Sequence, residues 1–292
     1  MRVCCGTTTM LLIIIAERYE VVFDFAPFAG QNITLSNARK VAADEDFQET
    51  DKVMRFVVST TPVQDSSRVP AALRTVPFPP PVDAAQVNQS FEFERKNGQW
   101  EINGVNFNEV DKRVLANVPR GTVEVWELKN GGGGWSHPIH VHLVDFKVLR
   151  RINSKRPVLP YESQGLKDVV WLGPGETVYI EAHYAPWDGV YMFHCHNLIH
   201  EDHAMMAAFN VTALLDFGYN ETHFIDPMEG RWRAEAATAD KFTTQAITAK
   251  IQSMARLQPY NNVDEVFRKL DEYWATHSVS KRDDVKIQSL TT

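Results

Sequence analysis

The chain is poor in cysteine: its 292 residues hold three, Cys4, Cys5 and Cys195. Adjacent cysteines rarely bridge each other, and an odd count leaves at least one thiol free, so no disulfide framework is expected. No stretch approaches the ~20 apolar residues that span a bilayer, and no membrane-crossing helix is expected. Positive charge is also short, with 30 Lys+Arg against 37 Asp+Glu and a net charge of -7. A chain of that sign gains nothing from a phosphate backbone. Its basic clusters, Arg150 with Arg151 and Lys155 with Arg156, read as solvated loop charges, which argues against a nucleic-acid partner. No internal repeat is present. What remains, 44% hydrophobic and 23% charged residues, is the balance of a folded soluble protein, and the length suggests about two domains.

The N-terminus carries a short apolar run at 10–16 (MLLIIIA). It has the look of an export-signal core, but it runs into charged residues without a small-x-small cleavage site, which favours a buried strand leading into another strand. Strand-like runs follow at 18–25, 32–36 and 52–59. So little strand cannot bury a core alone, so residues 1–60 read as the tail of a β domain, needing partners from elsewhere. Pro62, Pro70, Pro77, Pro79, Pro80 and Pro81 then mark a stiff linker over 61–85. Strand signals return at 100–102, 122–128, 140–150, 168–172, 177–183, 190–194 and 207–214. Turn residues such as Asn97-Gly98 and Gly173-Pro174-Gly175 separate them. Residues 86–222 therefore read as one complete antiparallel β-sandwich or Greek-key barrel. In the tail, 223–292, apolar residues at helical spacing (Ile247, Ile251, Met254, Leu257; Val263, Val266, Phe267, Leu270, Trp274) predict two amphipathic helices packed on the sandwich. Asn262 stands at an N-cap position.

Histidine usage carries the chemistry. Six of ten histidines lie in two clusters, His137-Pro-Ile-His140-Val-His142 and His194-Cys195-His196-Asn-Leu-Ile-His200, with Met205 five residues beyond. Side chains alternate faces along a strand, so His140 and His142 share one face, as do His194 and His196. Cys195 points the other way, and His137 has its parity. Two sets result. One holds His137, Cys195, His200 and the Met205 thioether; the other holds His140, His142, His194 and His196. Two imidazoles, a thiolate and a thioether make up the donor set of a blue-copper electron-transfer site. The second set is all imidazole, and the backbone of Cys195 joins it to the first through a few covalent bonds.

The wording around these residues (WSHPIHVHLVDFKVLRR, VYMFHCHNLIHEDHAMMAAFNVT, ERYEVVFDF, DKVMRFVV) resembles the laccase-like multicopper oxidases, the bilirubin oxidase branch in particular, over about 16–273. The resemblance implies a cupredoxin-like Greek-key β-sandwich, preceded by part of another cupredoxin domain and followed by a helical tail. It implies copper as the cofactor. By motif position His137, Cys195 and His200 are implied as type 1 copper ligands with Met205 axial. His140 is implied as a type 2 ligand, and His142, His194 and His196 as type 3 ligands. The implied reaction is one-electron oxidation of a phenolic or tetrapyrrole donor at the type 1 copper, coupled to reduction of dioxygen to water at a three-copper cluster. Glu201 matches an acidic residue associated with proton delivery, against a plain reading as a solvated loop charge. Trp135 lies where a reducing substrate could stack, against a plain reading as a strand-end core residue. The remaining histidines, His183, His203, His223 and His277, match no ligand position.

The family's cluster needs twice the histidines that these motifs supply, the rest coming from two His-x-His motifs of an N-terminal cupredoxin domain. Beyond 140–142 and 194–196 the 292 residues contain no His-x-His. Two functions stay open: an oxidase whose cluster is completed by that missing domain, and a type 1 electron-transfer or copper-binding chain without turnover. The family is typically secreted, and sequons at Asn32, Asn88, Asn210 and Asn220 suit an extracellular glycoprotein.

Overall fold

The computed structural model describes residues 2–3, 6–7, 11–37, 51–71, 74–132, 134–214, 217, 237–257 and 261–277. The expectations for Cys4, Cys5, Asn220 and His223 fall outside them. The chain divides into two compact units, one of residues 1–115, 123–183 and 192–208, the other of residues 116–122, 184–191 and 209–292. In chain order the strands are β1 (Arg2–Val3), β2 (Gly6–Thr7), β3 (Val21–Val22), β4 (Asn32–Ser36), β5 (Lys52–Val57), β6 (Gln89–Lys96), β7 (Gln99–Ile102) and β8 (Val114–Pro119). They continue with β9 (Val123–Asn130), β10 (His137–Val141), β11 (Phe146–Ile152), β12 (Val169–Leu172), β13 (Thr177–His183), β14 (Gly189–Cys195) and β15 (Met206–Thr212). The helices are α1 (Pro160–Ser163), α2 (Leu198–Asp202), α3 (Thr244–Leu257) and α4 (Val263–Thr276).

Two five-stranded sheets dominate, ordered β12-β10-β14-β15-β8 and β11-β13-β9-β6-β7. In the first unit their faces meet through aromatic side chains. Phe193 of β14 lies 4.5 Å from Phe91 of β6 and 5.7 Å from Trp126 of β9, ring centre to ring centre. All three are buried, with Leu128, Ile139, Phe146 and Ile180 around them. The β6–β7 hairpin turns on Asn97 and Gly98, both at positive φ (51° and 82°), as a two-residue turn matched to strand twist requires. An all-β sandwich is what the strand-like runs predicted, and the resemblance implied its cupredoxin-like form, though three details differ. The 140–150 run is two strands, because Leu143 takes φ +71° and the chain turns between β10 and β11. Strands β6 and β8 carried no clear signal. And β6 pairs β9 in parallel, which a short-turn reading cannot foresee.

The N-terminal expectation is corrected more strongly. Residues 11–20 form no strand, and of 18–25 only Val21 and Val22 pair. Asp24 accepts from the Ala26 amide at 2.9 Å, and Pro27 sits in a short 3-10 turn, so the local chemistry bends the chain. Side chains tether this segment instead. Arg18 grips the Asp168 carboxylate at 2.8 and 3.0 Å, and Lys167 pairs with Glu17 at 2.6 Å. The β4–β5 hairpin stands as a two-stranded sheet with Val53, Met54 and Val57 exposed.

Behind β12 lies a buried ionic network. Arg151 reaches Glu162 (2.7 Å), Glu176 (2.8 Å) and the Trp171 carbonyl (2.8 Å), and Arg156 adds a second guanidinium to Glu162. Burial pushes the Glu162 carboxyl up, but hydrogen bonds from Arg156 and the Leu159 amide, with the Arg151 charge, outweigh it and hold it below its ordinary range.

In the second unit α4 forms as predicted and buries its apolar face within that unit: Val266 and Leu270 are buried against Ala185, and the Trp274 indole donates to the Arg120 carbonyl at 2.9 Å. Only glycine fits at 121, where φ is +83° and a Cβ would stand 2.8 Å from Trp274. The other helix departs from expectation. Ile247, Ile251 and Met254 of α3 are exposed, so its apolar stripe is not buried among the described residues. Asn262 precedes α4, but its side chain makes no capping bond; its backbone (φ -111°, ψ 12°) lacks the extended geometry that aims a cap.

Candidate metal centres

Strand β10 lies between β12 and β14, with His140 opposite His194 and Ile139 opposite Cys195. Alternation then does the sorting. The Cys195 thiol and His137 go to the buried side of the sheet, and His140, His142 and His194 to the other.

On the first side α2 supplies the third donor. Asn197 caps this one-turn helix, its side-chain Oδ1 accepting from the Ile199 amide at 3.1 Å, and the turn brings His200 back over Cys195. The Nδ1 atoms of His137 and His200 are 3.2 Å apart, and the Cys195 sulfur lies 3.5 and 3.4 Å from them. An ion at the centre of such a triangle sits roughly 2 Å from each donor, the length of a metal–imidazole bond. The chain then reverses at Ala204 (φ +67°) into Met205. The Met205 amide donates to the His200 carbonyl (3.0 Å), its carbonyl accepts from the Cys195 amide (3.1 Å), and its side chain is buried. Burial holds the His137 imidazole down at about 3, with the His200 charge adding to it, and holds His200 down at about 4. Burial lifts the Cys195 thiol to about 12. Two neutral imidazoles and a thiol that a soft cation can deprotonate fit copper.

Across the strand, His142 and His194 bring their Nε2 atoms within 3.4 Å, and the ligand atoms of His140, His142 and His194 all lie within 4.8 Å of one another. His140 is held through Nδ1 to the Asp168 carbonyl (2.7 Å) and His194 through Nδ1 to the Cys195 carbonyl (3.2 Å). A ring that donates through Nδ1 presents its Nε2 lone pair to a metal. Burial and the neighbouring imidazoles hold His142 at about 4; burial, against a bond to the Cys195 carbonyl, holds His194 at about 4 as well. His196 stands beside this trio, its ring 5.1 Å from His194 and 5.8 Å from His140, but is not one of the three that converge. An open cleft of about 300 Å³, lined by His140, His142, Leu143, Asp145 and Asp168 among others, adjoins the set.

Glu201 is not a solvated loop charge. Its carboxylate lies between the two flanking histidines, 3.5 Å from His194 Nδ1 and 3.3 Å from His196 Nδ1. The second contact lacks hydrogen-bond alignment, which leaves the buried oxygen Oε2 without a partner. Trp135, half-buried, sets its edge 5.4 Å from the His200 ring. Sequence reasoning missed Trp100. This buried β7 residue stacks on His200 at 3.8 Å and 28°, and the Arg95 guanidinium lies 5.1 Å over it. No local pattern shows which strand will lie over a ligand 100 positions later.

Comparison with known proteins agrees with this geometry. A multicopper oxidase family model matches residues 79–214. The chain is 57% identical to the bilirubin oxidase of Albifimbria verrucaria over 272 residues, 88% of this chain and 47% of that protein. It is 36% identical to a laccase of Haloferax volcanii over 244 residues, 79% of this chain and 40% of the relative. Among solved structures, the McoA multicopper oxidase of Aquifex aeolicus superposes with a TM-score of 0.53 at 27% identity, covering 63% of this chain and 41% of that one. The chain thus spans less than half the length of these relatives.

Proposed function

We propose, on the premise that this chain belongs to the multicopper oxidase family, that it carries the electron-accepting half of a copper oxidase. The observation behind this reading is the division of two donor sets across β14: Cys195 with His137 and His200 on one side, His194 with His140 and His142 on the other. Copper bound at these sets supplies one-electron redox chemistry at the first and dioxygen reduction at the second. His137, Cys195, His200 and Met205 would hold the first ion; His140, His142, His194 and His196 would supply half of the cluster's imidazoles.

The chain's own residues do the rest. Trp135 offers an aromatic edge beside His200, and Leu198 and Ile199, which precede His200 in α2, are exposed, a surface suited to an apolar phenolic or tetrapyrrole donor. The backbone on either side of Cys195 runs directly to His194 and His196, the shortest covalent route between the sets. Glu201, with one carboxylate oxygen free, is placed to hold a proton at Oε2 and pass it toward the cluster side. The remaining imidazoles come from the two His-x-His motifs of a further cupredoxin domain. Residues 1–60 belong to a preceding cupredoxin domain, 61–85 to a linker, 86–222 to the copper domain and 223–292 to the helical tail. The parent protein works outside the cell, as a glycoprotein. Of its sequons Asn32 is exposed, whereas the Asn88 side chain is engaged by the Val125 amide at 2.8 Å.

The second reading, a type 1 electron-transfer chain, draws on the same count of imidazoles. Copper per chain together with dioxygen uptake separates the two. The 292-residue polypeptide alone is expected to bind one blue copper at the first set, any further copper going to the all-imidazole set, and to consume no dioxygen continuously with any donor. Uptake is expected once a polypeptide with the complementary His-x-His motifs is added. Sustained uptake by the chain alone would overturn the half-cluster assignment, and a colourless copper-loaded chain would overturn the type 1 assignment.

A further inference from the structure

His200 is held by a part of the molecule outside both copper motifs. Residue Asn106, in the turn after β7, spreads its side-chain amide over two acceptors: Nδ2 donates to the Trp100 carbonyl at 3.1 Å and to the His203 carbonyl at 3.2 Å. Its Oδ1 accepts from the Asn108 amide at 3.1 Å. Two carbonyls on one side and an amide on the other fix the orientation of this group, because only the nitrogen can donate. The next residue adds a backbone bond, Phe107 amide to Ala204 carbonyl, 3.2 Å. The turn is therefore stitched to His203 and Ala204, two of the four residues between His200 and Met205, and to Trp100, whose ring stacks on His200.

We infer that Asn106 is a positioning residue for the type 1 copper site: it locks the Trp100 ring plane and the C-terminal end of α2 to each other, and so fixes the His200 imidazole between them. The inference rests on the type 1 reading of His200. A one-turn helix holds its shape weakly by itself. Among the described residues its C-cap, His203, has only local bonds besides this one: its amide to the Glu201 carbonyl and its Nδ1 to the Ile199 carbonyl at 2.6 Å. The amide of Asn106 ties that cap to a strand of the other sheet. Partners that orient a metal-binding histidine govern affinity and redox behaviour without touching the ion.

Three variants of the full chain, loaded with copper, test this. Asn106→Asp keeps the acceptor for Asn108 and loses both donor bonds; Asn106→Leu removes the donors without adding charge; Trp100→Phe keeps an apolar ring but shrinks the stack. The expected result is a displaced blue absorption maximum, a lower reduction potential and copper affinity reduced roughly tenfold or more, the scale found for outer partners of metal-binding histidines. Both Asn106 variants should show it, Trp100→Phe to a smaller extent. Asn106→Leu or Asn106→Asp indistinguishable from the parent in band, potential and affinity overturns the inference while the type 1 reading stands. Change in Asn106→Asp alone reports only the added charge and overturns it too. If Asn106→Leu does not fold, Asn106→Asp and Trp100→Phe decide together, and a parent chain with no blue band removes reading and inference alike.

Discussion

The two donor sets lie back to back on one strand, yet they are finished to different degrees. His137, Cys195, His200 and Met205 are fully buried. Around them α2 closes over the sheet, Trp100 covers His200, and backbone bonds at Met205 draw the loop shut. His140 and His142 are only half-buried and border an open cleft. Strand alternation selected both sets equally well. What separates them is a third element: the first set has one in α2 and β7, whereas among the described residues the second has only Glu201 and the Asp168 carbonyl. A pair of strands chooses which side chains meet, and a covering segment decides how far their site is enclosed.

The sharpest break of this comparison is a pair of opposite substitutions. Cys195→Ser is expected to remove the blue band entirely, because oxygen replaces the thiolate in the donor triangle. His142→Ala, on the far face, is expected to leave the band unchanged and to remove metal binding only from the all-imidazole set. Visible absorption with copper stoichiometry reads both. A blue band lost in His142→Ala would mean that the faces are not independent.

A condition that acts on both sets together comes next in size. Strand β12 flanks β10, and behind it Glu162 is clamped by Arg151 and Arg156. Since the Glu162 carboxyl is held below its ordinary 4.5 in the folded chain, the folded state binds its proton more weakly than the unfolded state does. Its contribution is therefore complete above about pH 4.5 and is lost as pH falls through the lower folded value. Urea midpoints measured from pH 7 down to pH 3 should decline over that interval. Glu162→Gln, which leaves Arg156 without its buried partner, should cost about 3 kcal/mol at neutral pH and flatten the acid decline. An unchanged acid profile in Glu162→Gln would assign the decline to other carboxylates.

Much of this contrast is already legible in the residues. The parity of His-Cys-His and His-Val-His needs only the two-residue repeat of a strand, and the structure sorts the side chains accordingly. The sandwich follows from short β-rich runs with Asn-Gly and Gly-Pro-Gly between them. Where sequence reasoning failed, the deciding contact was distant. Nothing near Trp100 or Asn106 announces His200 or His203, and nothing in Ile247, Ile251 and Met254 tells an exposed stripe from a buried one. The 10–16 run looked like a strand because its residues favour one, but pairing needs a neighbour, and side chains further on, Glu17 and Arg18, fasten that segment instead.

Arg18 provides the finest probe of the difference between the sets. It belongs to the N-terminal segment and touches only the second set, indirectly, through Asp168, whose carbonyl holds His140. The guanidinium side chain is 71% exposed and its carboxylate partner 26% exposed, so water and salt screen the pair, and its worth is under about 1 kcal/mol. The His140 contact, by contrast, uses a backbone oxygen fixed by the β10–β12 register, His140 against Val169. Arg18→Ala is therefore expected to lower stability by less than about 1 kcal/mol, with the difference fading as salt is raised, and to leave the blue band unmoved. Copper binding by the imidazole set should stay within a few-fold of the parent. A loss as large as that of His142→Ala would show that the register alone does not hold His140, and that the half-open site depends on the tether from the N-terminal segment.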